Sequence, residues 1–202
     1  MVKNKEIKAI GTFVNVKNHN LFFDTCSTCS GNCCDGRNKF ALSPLILKDF
    51  KEVYENFAIV FTWEYGDLRT FMILNDGKSY CKYIDETTGG CTIYDKRSPA
   101  CKLYPISPYF GNIMVDTACE AVNVEFGTQI YKDGKISDKF YHKRLNNFTK
   151  KLKETTDFLE TINNKEDFEL VTNISGVDLY KYNKLDSDNK FINMHLESLK
   201  HL

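Results

Sequence analysis

Residues 22–35, FFDTCSTCSGNCCD, place Cys26, Cys29, Cys33 and Cys34 within nine positions. Cys81, Cys91, Cys101 and Cys119 follow at intervals of ten, ten and eighteen and complete the eight cysteines of the 202-residue chain. A C-x-x-C turn sets two thiolates on one side of a tight loop, where both reach one metal ion or cluster. Gly31 supplies a position that can take positive φ and fold the loop back. Ser27, Thr28, Ser30 and Asn32 are small polar side chains able to donate hydrogen bonds toward sulfur. On an extended backbone Cys33 and Cys34 would point to opposite sides, which predicts that they do not bind one ion side by side. Eight thiols suit two tetrahedral zinc ions, two cubane clusters, or one four-thiolate site with four cysteines to spare, and the spacing does not divide them.

Other uses of eight cysteines fit less well. A disulfide framework belongs to exported chains, and residues 1–11 are charged and lack the apolar run of an export signal. Inert buried thiols account for isolated cysteines but not for four in nine positions. A thioredoxin-type redox pair needs a helix directly after C-x-x-C, which Gly31-Asn32-Cys33-Cys34 does not supply. A lysine-plus-arginine count of 27 balances an aspartate-plus-glutamate count of 27, so the overall charge gives no case for nucleic acid. No apolar run reaches the roughly 20 residues needed to span a bilayer. The expectation is a cytoplasmic protein without a membrane segment.

The elements that position the thiols follow from local signals. Residues 7–16 alternate loosely and predict one strand. Ser43 and Pro44 predict a helix with Ser43 as its N-cap, carrying Leu45, Phe50, Val53, Tyr54 and Phe57 on one face. Residues 58–63 and 68–74 predict strands joined through a turn at 64–67. A turn at 75–78 predicts a returning strand over 79–84, which would pair Cys81 with Cys91 across a short hairpin. Ser98-Pro99 predicts a second helix start with Cys101 in its first turn, where the helix dipole would favour the thiolate.

After Cys119, residues 126–136 predict a hairpin turning at Asp133-Gly134. Residues 137–162 predict a long helix with the seam Tyr141, Leu145, Phe148, Leu152, Thr155, Leu159 and Ile162. That seam serves either intramolecular packing or a protein partner or dimer. The basic residues Lys139, His142, Lys143, Arg144, Lys150, Lys151 and Lys153 read as a solvated face. Residues 176–182 predict a strand, and a last helix runs through Ile192, Leu196 and Leu199. His19 lies near the cysteine loop, but no histidine forms a ligand pattern with the cysteines, so an all-thiolate site is expected. No serine-nucleophile, phosphate-loop or dinucleotide motif is present.

The pattern Phe23-x-x-Cys26-x-x-Cys29-x-x-x-Cys33-Cys34, followed by Gly90-Cys91-Thr92-Ile93-Tyr94-x-x-Arg97-x-x-x-Cys101-x-x-Tyr104-Pro105, resembles the YkgJ-type cysteine-cluster family. A similar block occurs in flagellin lysine-methylase. The resemblance covers roughly residues 21–124. It departs from the family at Ser98-Pro99, where arginine commonly precedes proline directly, and at Tyr104-Pro105, where Phe-Pro is commoner. It implies chelation of zinc or iron by the cysteines and, by analogy with the methylase, a 4Fe-4S cluster; it supplies no reaction, and no methyltransferase nucleotide motif accompanies it. In the second block Arg97 fits a carbonyl cap or salt bridge better than a substrate clamp, and Tyr94 and Tyr104 suit either core packing or shielding of a cluster.

These readings combine into an α+β chain. A small cysteine-rich metal-binding core of short strands, hairpins and short helices (21–124) would follow an N-terminal strand (1–20) and carry a helical C-terminal extension (125–202). The function expected is metal or cluster binding, with a cluster-dependent enzyme or a metal-delivery module as alternatives.

Overall fold

The computed structural model describes residues 8–25, 29–38, 41–109, 111–137, 142–186 and 188–202. The expected first strand is a hairpin, β1 (Ala9–Ile10) and β2 (Phe13–Asn15), because Gly11 at φ 56° reverses the chain in its middle. After β3 (Phe22–Phe23) and the first cysteine block comes β4 (Leu42–Pro44). The helix expected to start at Ser43 therefore starts later, as α1 (Leu47–Val53). Its cap is supplied by Asp49, whose carboxylate accepts the Ile46 N–H at 3.4 Å while the Asp49 N–H donates to the Ile46 carbonyl. Pro44 is tolerated as a strand residue because β4 lies at a sheet edge.

The strands expected next are present as β5 (Ile59–Glu64) and β6 (Asp67–Ile73), paired from Ile59↔Met72 to Glu64↔Asp67. Tyr65 and Gly66 both take positive φ between them. Then follow α2 (Pro99–Leu103), β7 (Ile106–Tyr109), β8 (Asn112–Asp116), β9 (Val122–Asn123) and β10 (Thr128–Gln129). The expected hairpin over 126–136 is β11 (Tyr131–Lys132) with β12 (Lys135–Ile136), turning at Asp133-Gly134. The chain ends with α3 (His142–Thr161), the hairpin β13 (Phe168–Ile174) and β14 (Val177–Tyr182), and α4 (Lys190–Ser198). Of the expected long helix, Tyr141 and Lys139 lie outside the described residues.

Among the described residues the strands form antiparallel sheets ordered β1-β2-β8-β7, β10-β3-β9, β11-β12 and β13-β14-β5-β6-β4. The α+β class expected from the sequence holds, and the C-terminal part adds two strands to its helices. The five-stranded sheet is covered on both faces. Phe61 and Leu68 pack with Leu159 of α3, Ile162 just past its end and Ile192 of α4, while Val60, Phe71, Ile174 and Leu179 fill the opposite face. The seam of α3 is spent inside the chain: Leu145, Phe148, Thr155, Leu159 and Ile162 are buried. Thr155 interrupts the apolar seam because its hydroxyl accepts the Leu47 N–H at the start of α1, 3.1 Å away. On the outer face Lys151 pairs with Glu154, and Lys153 with Asp157 at 2.7 Å.

Helix α4 takes the place of a missing strand beside Ile59. Ser198 Oγ accepts the Ile59 N–H at 2.8 Å, and His195 Nδ1–H donates to the Ile59 carbonyl at 2.8 Å. The His195 Nε2 accepts the Tyr182 N–H at 3.1 Å, which fixes the neutral tautomer of a fully buried ring. Burial holds its pKa down at about 4. No helix among the described residues is long and apolar enough to cross a membrane.

Candidate metal centre

The first cysteine block folds around Gly31, which takes φ 78° as its sequence position suggested. A Cβ there would stand 2.4 Å from Ile84 Cδ1 and 2.8 Å from the Gly89 carbonyl, so glycine lets this loop lie directly on residues 84–91. Gly31 N–H donates to Cys29 Sγ at 3.4 Å, a contact that stabilises negative charge on sulfur. Ser30 holds the Glu120 carboxylate through its N–H and its hydroxyl. Asn32 Nδ2 donates to the Ala118 carbonyl at 2.9 Å. These side chains thus tie the loop to the residues on either side of Cys119. Cys26, Ser27 and Thr28 lie outside the described residues.

Cys33 and Cys34 sit in a 3₁₀ turn spanning Asn32–Cys34, not in extended chain. The expectation that they point to opposite sides is corrected: their sulfurs are 3.9 Å apart. Beyond the turn, the Cys34 carbonyl accepts the Cys81 N–H at 2.7 Å, and Gly36 N–H donates to Ser79 at 2.9 Å. Asp35 bridges to Tyr80, and Arg37 locks this corner by binding the Asp35 carboxylate at 2.7 Å and the Tyr80 hydroxyl at 2.7 Å.

The returning strand expected over 79–84 does not form. Asn75 and Asp76 accept the N–H groups of residues 77–79 through their side chains and turn the segment into a capped loop. Cys91 faces Ile84 in an isolated bridge, one turn past Cys81, so the two cysteines are not cross-strand partners. Ser98 caps α2 as expected and accepts the Cys101 N–H at 3.2 Å.

Cys34, Cys81 and Cys101, drawn from three separate segments, meet at the border of the apolar cluster of Leu45, Phe50 and Phe57. Burial pushes the Cys101 thiol up to about 11; the Ser98 hydroxyl opposes it, and Cys34, Cys81 and Cys91 add to it electrostatically. Burial likewise pushes Cys81 up to about 11, with Cys34 and Cys91 adding. Desolvation therefore outweighs the helix dipole that favoured a Cys101 thiolate. Contact between the vicinal sulfurs raises Cys33 far above the thiol range and lowers Cys34; burial adds to the first shift, and Arg97 contributes to the second. Cys33 also feels Cys29 and Cys101, and the strongly raised Tyr104 hydroxyl, half-buried and bonded to Asp116 at 3.0 Å, feels both Cys119 and Cys33.

Arg97 does cap a carbonyl, donating to Tyr94 O at 2.9 Å, and its guanidinium stacks 3.5 Å from the Tyr94 ring. Tyr94 itself is exposed, so it packs in no core. His19 is exposed and His195 is fixed in the sheet, away from the thiols. The sequence reading missed Glu120, which fastens the loop, and the Arg37–Asp35–Tyr80 corner. A carboxylate directly after Cys119 was the available signal for the first.

None of Cys29, Cys33, Cys34, Cys81, Cys91, Cys101 and Cys119 is disulfide-bonded. Among the described residues no three His, Cys, Asp or Glu side chains already stand in a group that could hold one ion. The donor set nevertheless fits a thiophilic metal or cluster. It consists of sulfur alone, is partly desolvated, carries an N–H···S bond, and has the carboxylates that follow Cys34 and Cys119 in sequence, Asp35 and Glu120, engaged by Arg37 and Ser30.

Fold and site together define a cysteine-rich α+β chelator. The family model CxxCxxCC, described as "Putative zinc- or iron-chelating domain", matches residues 25–155. The chain belongs to that family, and this agrees with the resemblance read from its two cysteine blocks. No curated protein and no solved structure matches it.

Proposed function

We propose that the chain binds an iron–sulfur cluster of the 4Fe-4S type through cysteine thiolates, with Cys34, Cys81, Cys91 and Cys101 as the ligands. The observation that carries this reading is the meeting of Cys34, Cys81 and Cys101, from three separate segments, on one apolar cluster, with Cys91 within electrostatic reach of Cys81 and Cys101. In a cubane each thiolate bonds a different iron, so four thiolates drawn from separate segments need not close on a single point as they must for one zinc ion. Arg97, beside Cys34, would offset part of the negative charge of a four-thiolate cluster. A bound cluster would supply electron transfer or a Lewis-acidic iron; the protein's part is to ligate it, shield it with Phe50 and Phe57, and hold the loops around it.

Reduced thiols at this density fit a reducing compartment, and we place the protein in the cytoplasm on that ground. The test is purification without oxygen, followed by iron, zinc and acid-labile sulfide analysis and a visible spectrum. Brown protein with about four iron and four sulfide per cluster is the expected result. Colourless protein holding zinc and no sulfide would replace the cluster reading with a zinc site.

A further inference from the structure

The five-stranded sheet is split along one seam, away from the thiols. β14 meets β5 at a single register pair, Tyr180↔Phe61. Continued in both directions, that register would pair Tyr182 with Ile59 and Asp178 with Trp63, and neither pair forms among the described residues. At the Ile59 end the His195 ring stands in the split, accepting the Tyr182 N–H and donating to the Ile59 carbonyl. At the Trp63 end the split is a cavity of about 310 Å³, whose walls include Thr62, Trp63, Glu64, Val177, Asp178 and Tyr180. That volume is at the lower end of the range for small-molecule sites, roughly 300–1,000 Å³.

The lining is selective in kind. The Trp63 and Tyr180 rings are 5.0 Å apart at 83° and make two walls nearly at right angles. Trp63 is held in place by its Nε1–H, which donates to Asn163 at 3.1 Å. Thr62 is only 3% exposed, yet its hydroxyl makes no hydrogen bond among the described residues. Asp178 accepts the Asn173 amide at 2.7 Å and pairs with no cation among the described residues, whereas Glu64 is held by Arg69 at 2.8 Å. No lysine, arginine or histidine lines the cavity. Aromatic faces, a carboxylate without a counter-ion and an unsatisfied hydroxyl oxygen together suit a group that only donates and carries positive charge. The Trp63 ring already draws one such group: the Lys165 ammonium lies 5.6 Å from its centroid.

We propose that this cavity is a binding site for a small organic cation, a primary alkylamine in its ammonium form. Asp178 accepts a charge-assisted hydrogen bond from the ammonium and Thr62 Oγ1 accepts a second, while Trp63 and Tyr180 enclose the alkyl stem and the charge. The site goes beyond the chelation reading and does not rest on it.

Trp63 is the one tryptophan of the chain, so its fluorescence reports on this cavity alone. The experiment titrates the full chain, purified without oxygen and with its metal complement intact, with n-butylamine and with n-butanol, its neutral counterpart. Calorimetry provides a second readout. The amine is expected to give a saturable fluorescence change that weakens as salt is added, and the alcohol none. Asp178→Asn, which keeps the oxygen that accepts from Asn173, should bind the amine about tenfold more weakly, the loss of one hydrogen bond to a charged group. Thr62→Val should also weaken binding yet melt no lower than wild type, because the hydroxyl it removes has no partner in the fold. An amine response that does not saturate, alcohol binding equal to that of the amine, or full amine affinity in a folded Asp178→Asn would each overturn the assignment.

Discussion

The five-stranded sheet and the cysteine-bearing loops are built on opposite terms. In the sheet, β5 runs Ile59, Val60 and Phe61 fully buried, six register pairs tie it to β6, and α4 satisfies the edge left open at Ile59. Around the thiols, the backbone is held by isolated bridges at Asp35↔Tyr80 and Ile84↔Cys91, by 3₁₀ turns, and by side-chain caps from Asn75, Asp76, Asp85 and Ser98. Burial of apolar area stabilises the first region in the absence of any ligand. The second has little apolar area of its own, so a metal that crosslinks its segments would contribute folding free energy directly. The architecture therefore divides labour: the sheet is held by its own buried residues, and a metal bound as proposed would add its crosslinks to the loops.

The difference can be broken from either side. The largest expected effect falls on the sheet. Phe61→Ala leaves a cavity among Phe168, Tyr182 and Ile192 and is expected to cost about 4 kcal/mol in chemical unfolding, in metal-free and metal-loaded protein alike.

Acid provides the next test. His195 is held neutral at about 4 against an ordinary 6.5, so the unfolded chain takes up a proton below pH 6.5 that the folded chain refuses until about pH 4. The contribution present above pH 6.5 is lost as pH falls through that window and amounts to about 3 kcal/mol. Asp49, pushed up to about 7 by burial, acts with the opposite sign between its ordinary 3.8 and 7, where rising pH is destabilising. Comparing melting curves of His195→Gln and wild type from pH 7 to 4 isolates the histidine: the slope should flatten in the variant, and an unchanged slope would refute the assignment.

The smallest effect sharpens the comparison in the loops. Gly31→Ala places a methyl group against the Gly89 carbonyl at positive φ and is expected to cost about 2 kcal/mol. Unlike the Phe61 change, it should show as lost metal affinity and faster amide exchange at residues 84–91, with β5 and β6 still protected.

Much of the sheet was legible because its signals are local. Tyr65-Gly66 and Asp133-Gly134 read as turns, and both carry the paired positive φ that such hairpins need. The β7–β8 hairpin escaped notice because Pro108 argues against a strand, yet β7 lies at a sheet edge where proline costs no ladder bond. Pro44 misled in the same way by suggesting a helix start where an edge strand runs. β13 went unread because it is an edge strand held only by β14 across Ser175-Gly176, and β14 in turn joins β5 more than a hundred residues away in sequence. At the site, residue types and the family pattern identified the thiols, but their grouping depends on contacts such as Cys34–Cys81 and Ser30–Glu120 that no spacing encodes. The vicinal pair was misjudged because a tetrapeptide cannot reveal whether it is extended or a 3₁₀ turn.

The most direct measurement is iron and acid-labile sulfide per chain in Cys101→Ser beside wild type, both purified without oxygen, with circular dichroism as the check on the sheet. Cys101 is remote in sequence from the first block and is brought to it only by the fold. The account predicts that the serine variant stays folded and loses iron and sulfide together. A Cys101→Ser protein with the wild-type complement of both would contradict it.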